Sequence, residues 1–297
     1  MTSTATVSAV IPVYNGERYL ADAIRSVLSQ SLAVIECLVI DDGSDDRTPE
    51  VAHQFGPEVT YVRRDRGGVS AARNDGARRS QGEFVGFLDH DDQWLPEKLE
   101  RQLHELQQRP AAMALCAMAV IGQAGQELGT IRLQAQSDLV TGMLTFDGTR
   151  TVSCSSTGVV RRAEFLAAGG FDPALSMSAD WDLLLRMLLN GGIAYVDEPL
   201  VLYRLHDANM SRNVKVMEHD MRYAFAKAFA DPRLPDSARR RKRHAYGRLY
   251  RMLAGSYRDA GHRADAARAL IAAVRHEPSV ALELVRRRGG SSAGPSS

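Results

Sequence analysis

At 297 residues, with 44% apolar and 25% charged side chains, the chain has the composition of a folded globular protein, and disordered and fibrous classes are excluded. The three cysteines, Cys37, Cys116 and Cys154, are far apart and follow no CxxC or metal-finger spacing, which excludes a disulfide framework and favours a reducing compartment. The net charge of +1 hides an asymmetry, because residues 231–288 carry 15 Lys or Arg against 6 Asp or Glu. Such a basic segment suits either a solvated helical face or an anionic surface.

Residues 7–13 (VSAVIPV) read as a strand, and Leu20, Ile24, Val27 and Leu28 follow at helical spacing. No basic segment precedes that first apolar run, which contains Pro12, so a signal peptide is not expected. A second apolar run, 35–41, ends in acid; 48–55 suits a short helix, 59–62 a strand and 69–80 an Ala-rich helix. Residues 83–89 (EFVGFLD) form a further strand that ends in acid. Short strands alternating with helices of this length imply βαβ units, hence an α/β fold with a largely parallel sheet. Further on, 96–108 reads as a helix, 113–121 as a strand, and the stretch to about 151 as loops. A helix ending in a turn at Gly169-Gly170, a strong helix over 182–189 and an extended segment 194–203 interrupted at Pro199 complete the first 215 residues.

Beyond about residue 216 the chain becomes helical and Arg-rich, and residues 247–278 fall on the spacing of one tetratricopeptide-like hairpin. The last nine residues, GGSSAGPSS, have the composition of a disordered tail. The longest uncharged apolar run, 111–122, is shorter than the roughly 20 residues that cross a bilayer. A soluble cytoplasmic protein is expected, with the basic helices available for peripheral contact at the inner face of a membrane. No nucleic-acid partner is expected.

In a parallel sheet, ligands bind beyond the carboxyl ends of the strands. Asp41-Asp42 and Asp89-His90-Asp91-Asp92 both follow predicted strands and so fall on one sheet edge. Carboxylates packed this closely repel one another unless a cation or solvent relieves them, and a few carboxylates can hold the divalent ion that neutralises a diphosphate. The blander readings are a helix cap at Asp91 or Asp92 and a simple turn at Asp42-Gly43-Ser44.

In order, the stretches SAVIPVYNGERYLADAIRSVLSQ, ECLVIDDGSDDRT, GGVSAARNDGARRSQGEFVGFLDHDDQW, GGFD, SADWDLLLRM and LYRLHDANMS resemble the family 2 glycosyltransferases. The resemblance covers residues 8–211 and implies a GT-A type fold with a mixed, mostly parallel sheet flanked by helices, followed by a helical extension. It implies an inverting, metal-dependent transfer from a nucleoside diphosphate sugar, UDP-linked by preference. The acceptor would be a glycan, a lipid-linked sugar or a small molecule, as in cell-surface glycan synthesis.

Position by position, the resemblance puts Pro12, Tyr14 and Asn15 in the nucleotide pocket and gives Asp42 a hydrogen bond from the base. Arg73 and Asn74 would border the nucleotide or sugar. Asp89 and Asp91 match the DxD motif and would bind Mn2+ or Mg2+, with Asp91 the direct ligand and His206 a further ligand beside Arg204. Asp180 would be the catalytic base, although the family's usual Glu-Asp pair is Ala179-Asp180 here; Asp182 is its rival, two residues on and on another helical face. Trp181 and Asp182 would shape the acceptor side. A nucleotidyltransferase and a catalytically silent binding or adaptor protein on the same fold are the alternatives. The first lacks its Gly-rich basic loop, and a dehydrogenase lacks GxGxxG after the first strand.

Overall fold

The computed structural model describes residues 5–134, 138–147, 149–206 and 213–279; the end of the LYRLHDANMS stretch and the GGSSAGPSS tail lie outside the described residues. In chain order the elements are β1 (Val7–Val13), α1 (Leu20–Leu28), β2 (Glu36–Asp41), α2 (Thr48–His53), β3 (Thr60–Arg63), α3 (Val69–Arg79), β4 (Phe84–Phe87), β5 (Gln93–Trp94) and α4 (Lys98–Gln108). Then follow β6 (Met113–Ile121), β7 (Glu127–Ile131), α5 (Leu139–Thr145), α6 (Cys154–Thr157), β8 (Val159–Arg161), α7 (Arg162–Ala167), α8 (Ala179–Asn190) and β9 (Ile193–Arg204). Four helices close the described chain: α9 (Val214–Ala230), α10 (Asp236–Arg240), α11 (Lys242–Asp259) and α12 (Arg263–His276). Two compact units result, one of residues 1–134 with 150–210 and one of 135–149 with 211–297.

The first unit holds one sheet in the order β3-β2-β1-β4-β8-β6-β9-β5, with β7 paired to β6. Strands β3, β2, β1 and β4 run parallel, and antiparallel β8 joins them to the parallel pair β6 and β9. Every residue of β1 is buried, as a central strand covered on both faces requires. The chain leaves β1 for β2 on one side and returns to β4 on the other, so the crevice beyond β1 and β4 is the switch point at which such sheets take ligands.

Helix α3 settles onto this region because of Gly76, where a Cβ would stand 2.3 Å from Val10 Cγ1. At Gly86 a Cβ would meet Trp94 Cζ2 and Cη2 at 3.1 and 2.7 Å, so glycine in β4 makes room for the indole that follows the acidic loop. The 127–131 segment, expected as loop, is an edge strand whose first four residues are exposed; with no apolar face to bury, it carries no alternation to read. The extended segment at Pro199 is continuous in β9, and the proline is absorbed by register shifts against Cys116, Ala117 and Met118.

In the second unit, α9 buries Met221, Ala224, Phe225, Ala228 and Phe229, and α11 and α12 form a helical hairpin. Gly261, at φ 80°, ends α11: its N–H donates to Arg258 O and the His262 N–H to Tyr257 O, the paired bonds of a glycine C-terminal motif. The hairpin interior holds Leu253, Tyr257, Ala269 and Ala273, and Glu218 of α9 accepts from Tyr257 Oη (2.6 Å) and Arg268 Nη2 (2.9 Å). Residues 139–145, expected as loop, form α5, capped by Asp138, which accepts from the Thr141 N–H. Arg248 Nε of α11 donates to Thr145 O at its end (3.2 Å).

Candidate active site

The loops after β1 and β2 are sewn together. Asn15 N–H donates to Ser44 Oγ (2.9 Å), Asp45 N–H to Asn15 Oδ1 (3.0 Å), and Gly16 N–H to Thr48 Oγ1 (2.8 Å). Asn15 adopts φ 52°, a left-handed conformation that Asn tolerates better than most residues. Pro12 is buried at the end of β1, while Asn15 is exposed and Tyr14 half-buried. The Arg66 guanidinium lies 4.0 Å from the Tyr14 ring centroid.

Asp42 is buried, and donors of the 64–68 loop surround its carboxylate: Arg64 Nη1 at 2.6 Å and Gly67 N at 2.9 Å on Oδ1, and Gly68 N at 2.7 Å on Oδ2. Gly68 is also the N-cap of α3. The acid after β2 therefore fixes the start of the helix that carries Arg73.

Arg73 stands at the centre of the site, only 4% exposed. Its Nη2 reaches Asp89 Oδ1 (2.5 Å) and its Nη1 reaches Asp180 Oδ1 (3.4 Å), joining the end of β4 to the first turn of α8. Burial works against the arginine's charge, but the Asp89 and Asp180 carboxylates overcome it and raise its pKa above the ordinary value. Burial likewise opposes ionisation of Asp89, and Arg73, with a hydrogen bond from Ser155, outweighs it and holds the carboxyl below its usual range. Arg73 Nε is buried without a hydrogen bond. Asn74, the next residue, is turned elsewhere: its amide donates to Phe171 O (2.7 Å) and accepts from Phe171 N (2.9 Å), fixing the turn of the GGFD stretch.

Asp91 and His206 meet at 2.8 Å between Oδ2 and Nε2, and the His206 ring lies 5.4 Å from that of Tyr19. Arg204 binds the acidic loop from β9: its N–H donates to Asp92 Oδ1 (3.0 Å) and its Nε to Asp91 O (3.2 Å). Asp92 is buried; burial first, then the charges of Asp91 and Asp89, raises its carboxyl well above the usual range.

Asp180 accepts from Ser153 Oγ as well as from Arg73, and its carboxylate is about a quarter exposed at 24%. Asp182 is buried and paired with Arg186 at 2.6 Å, while Arg186 also donates to Ala168 O and Gly170 O, both at 2.7 Å. Trp181, between them, is half-buried.

A divalent ion of the Mg2+ or Mn2+ kind takes oxygen or imidazole ligands, and such a site commonly consists of one or two carboxylates completed by substrate phosphates and water. Asp91 and His206 fit that donor set as a pair. Asp89, expected as a further ligand, accepts from Arg73 and from Ser155 Oγ (2.9 Å). Among the described residues no group of three or more His, Cys, Asp or Glu is arranged to hold a metal. Sequence reasoning also missed Ser153, Ser155 and Ser156 and the Arg64–Gly68 loop, because a hydroxyl or a backbone N–H aimed at a distant carboxylate leaves no periodic signal.

The chain matches the model of Glycosyl transferase family 2 over residues 8–165. It belongs to that family. The putative teichuronic acid biosynthesis glycosyltransferase TuaG of Bacillus subtilis is 31% identical over 216 residues, 70% of this chain and 82% of TuaG. An uncharacterized glycosyltransferase of Rickettsia typhi is 31% identical over 205 residues, 68% of this chain but 64% of that protein's length. Among solved structures, S. aureus TarS in complex with UDP-GlcNAc has a TM-score of 0.68 at 17% identity, covering 96% of this chain and 92% of that one. The mannosyltransferase PcManGT from Pyrobaculum calidifontis, in complex with GDP-Man and Mn2+, has a TM-score of 0.65 at 18% identity, covering 98% and 82%. These likenesses show the GT-A type fold of the family member.

Proposed function

We propose that this chain is an inverting glycosyltransferase that moves a sugar from a nucleoside diphosphate donor, a UDP-sugar by preference, to an acceptor hydroxyl with the help of Mn2+ or Mg2+. The observation that carries the reading is Arg73, which gathers Asp89 and Asp180 from separate elements around one guanidinium, in the unit that holds the Asp91–His206 pair. The donor class is supported by the nucleotide sugars bound to TarS and PcManGT.

Asp42 keeps the base end of the donor. A carboxylate offers about four acceptor positions, and the 64–68 loop takes three, which leaves roughly one for an N–H of the base. Tyr14, with Arg66 on its face, and Asn15 line that end. At the diphosphate end Asp91 and His206 are the residues that would hold the cation, whose chemistry is to neutralise charge developing on the leaving diphosphate.

Asp180 is the general base. The acceptor O–H gives its proton to the Asp180 carboxylate as the oxygen forms a bond to the anomeric carbon. The bond from that carbon to the diphosphate oxygen breaks on the opposite side, and nucleoside diphosphate leaves with the electron pair. Arg73 holds the base in place through its contact with Asp180 Oδ1, and the same guanidinium keeps Asp89 charged.

The glycan reading of the acceptor is supported by the name of TuaG. Thermal denaturation with a panel of nucleotide sugars and Mn2+ tests the donor claim. A UDP-sugar at about a hundredfold above its Kd should stabilise the protein by about 3 kcal/mol, a shift of several degrees, and less without the metal. A panel in which no nucleotide sugar moves the transition contradicts it.

A further inference from the structure

Residues 153–156 place three serine hydroxyls on four consecutive positions, and each meets a carboxylate of the site: Ser153 Oγ meets Asp180, Ser155 Oγ meets Asp89 (2.9 Å) and Ser156 Oγ meets Asp92 (2.5 Å). Ser156 Oγ also accepts from the Asp89 N–H (3.2 Å). Serine in a helical turn ordinarily bonds back to a carbonyl of its own turn. Thr157 does so, donating to Ser153 O; Ser155 and Ser156 do not, and Ser153, the N-cap of α6, also accepts from the Ser155 N–H (3.4 Å).

Ser155 and Ser156 are each 2% exposed, so their hydroxyls have no recourse to water. The segment is itself anchored in the core. Trp94 Nε1 donates to Ser156 O (2.9 Å) and Gln102 Nε2 to Thr157 O (2.7 Å), and Ser153 Oγ and Ser155 Oγ lie 2.8 Å apart.

We propose that residues 153–156 are the positioning element of the site: Ser155 and Ser156 pin the two ends of the 89–92 loop and so aim Asp91 at the cation, while Ser153 orients Asp180 toward the acceptor. The inference rests on the functional reading above and adds a division of labour to it. Two serines act through the metal end and one through the base end, although all belong to one short segment.

The test measures, for the full chain and its variants, the Mn2+ concentration that half-saturates UDP-sugar binding by calorimetry, alongside transfer kinetics. Ser155→Ala and Ser156→Ala should raise that concentration about tenfold, the worth of a lost hydrogen bond to a charged group. Ser153→Ala should leave it at the wild-type value and lower kcat about tenfold with donor KM unchanged. Ser153→Thr and Ser155→Thr, which keep the hydroxyl, should recover most of each loss. Where an alanine variant does not fold, Ser→Cys keeps the volume with a much weaker donor and should show the same shift. Folded alanine or cysteine variants with wild-type Mn2+ dependence and wild-type kcat overturn the proposal. Asp91→Ala separates the two levels: if it abolishes Mn2+-dependent binding while the serine variants do nothing, this inference alone fails, and if Mn2+-dependent binding survives it, the functional reading fails as well.

Discussion

Asp180 and Asp182 lie two residues apart in the first turn of α8 and meet opposite surroundings. Asp180 keeps a partly exposed carboxylate beside Arg73, whereas Asp182 is buried and paired with Arg186, itself bonded to two carbonyls of the preceding turn. Removing one member of a buried pair leaves the other charge uncompensated, at about 3–5 kcal/mol. Asp182→Ala should therefore lower the melting temperature markedly, and its effect on transfer should follow stability. Asp180→Asn should leave donor binding intact and reduce transfer at least about a hundredfold, the lower end of what a general base contributes. Calorimetric donor binding and transfer assays on both variants check the assignment; unchanged transfer in Asp180→Asn contradicts it.

At the scale of elements, the site depends on how closely α3 lies on β1, since α3 carries Arg73. Gly76→Ala adds helix propensity worth up to about 1 kcal/mol, but its Cβ would stand 2.3 Å from Val10 Cγ1, and forcing extra volume into a packed core costs about 1–3 kcal/mol. The variant should be less stable by urea denaturation and should lose transfer beyond that loss, because Arg73 moves with the helix. A variant as stable and active as wild type would show that the close packing of α3 is immaterial. The same packing explains what the sequence discloses. Strands β1, β2, β4 and β6 are apolar runs buried on both faces and are read directly, and the acids that follow β2 and β4 fall on the expected edge. The exposed edge strand β7 and the four-residue α6 carry no pattern of their own; their positions are set by partners distant in sequence. For the same reason the DxD spacing marks Asp89 and Asp91 alike and does not disclose that Asp89 bonds to Arg73 and Ser155.

At the scale of the whole molecule, the second unit takes in 135–149 as well as the C-terminal helices, so a segment read as connecting loop supplies a helix to a unit assembled from distant parts of the chain. That unit exposes Arg240, Arg241, Lys242 and Arg243 in succession. Near an anionic bilayer each basic residue is worth about 1 kcal/mol, an attraction screened by salt. The protein should sediment with vesicles rich in anionic lipid at low salt and be released at about 0.5 M; absence from such vesicles at every salt concentration removes the membrane reading. Among the described residues no helix is long and apolar enough to cross a membrane.

The claim on which the account depends is that Asp91, with His206, serves a cation at the leaving diphosphate. It is tested most directly by following nucleoside diphosphate release from the UDP-sugar identified by thermal shift, with Mn2+ and with excess chelator, for wild type and Asp91→Ala. Release by the wild-type protein with Mn2+ alone, and none above background from the variant under either condition, is the predicted result. Release that persists in chelator, or that Asp91→Ala retains in full, would contradict it.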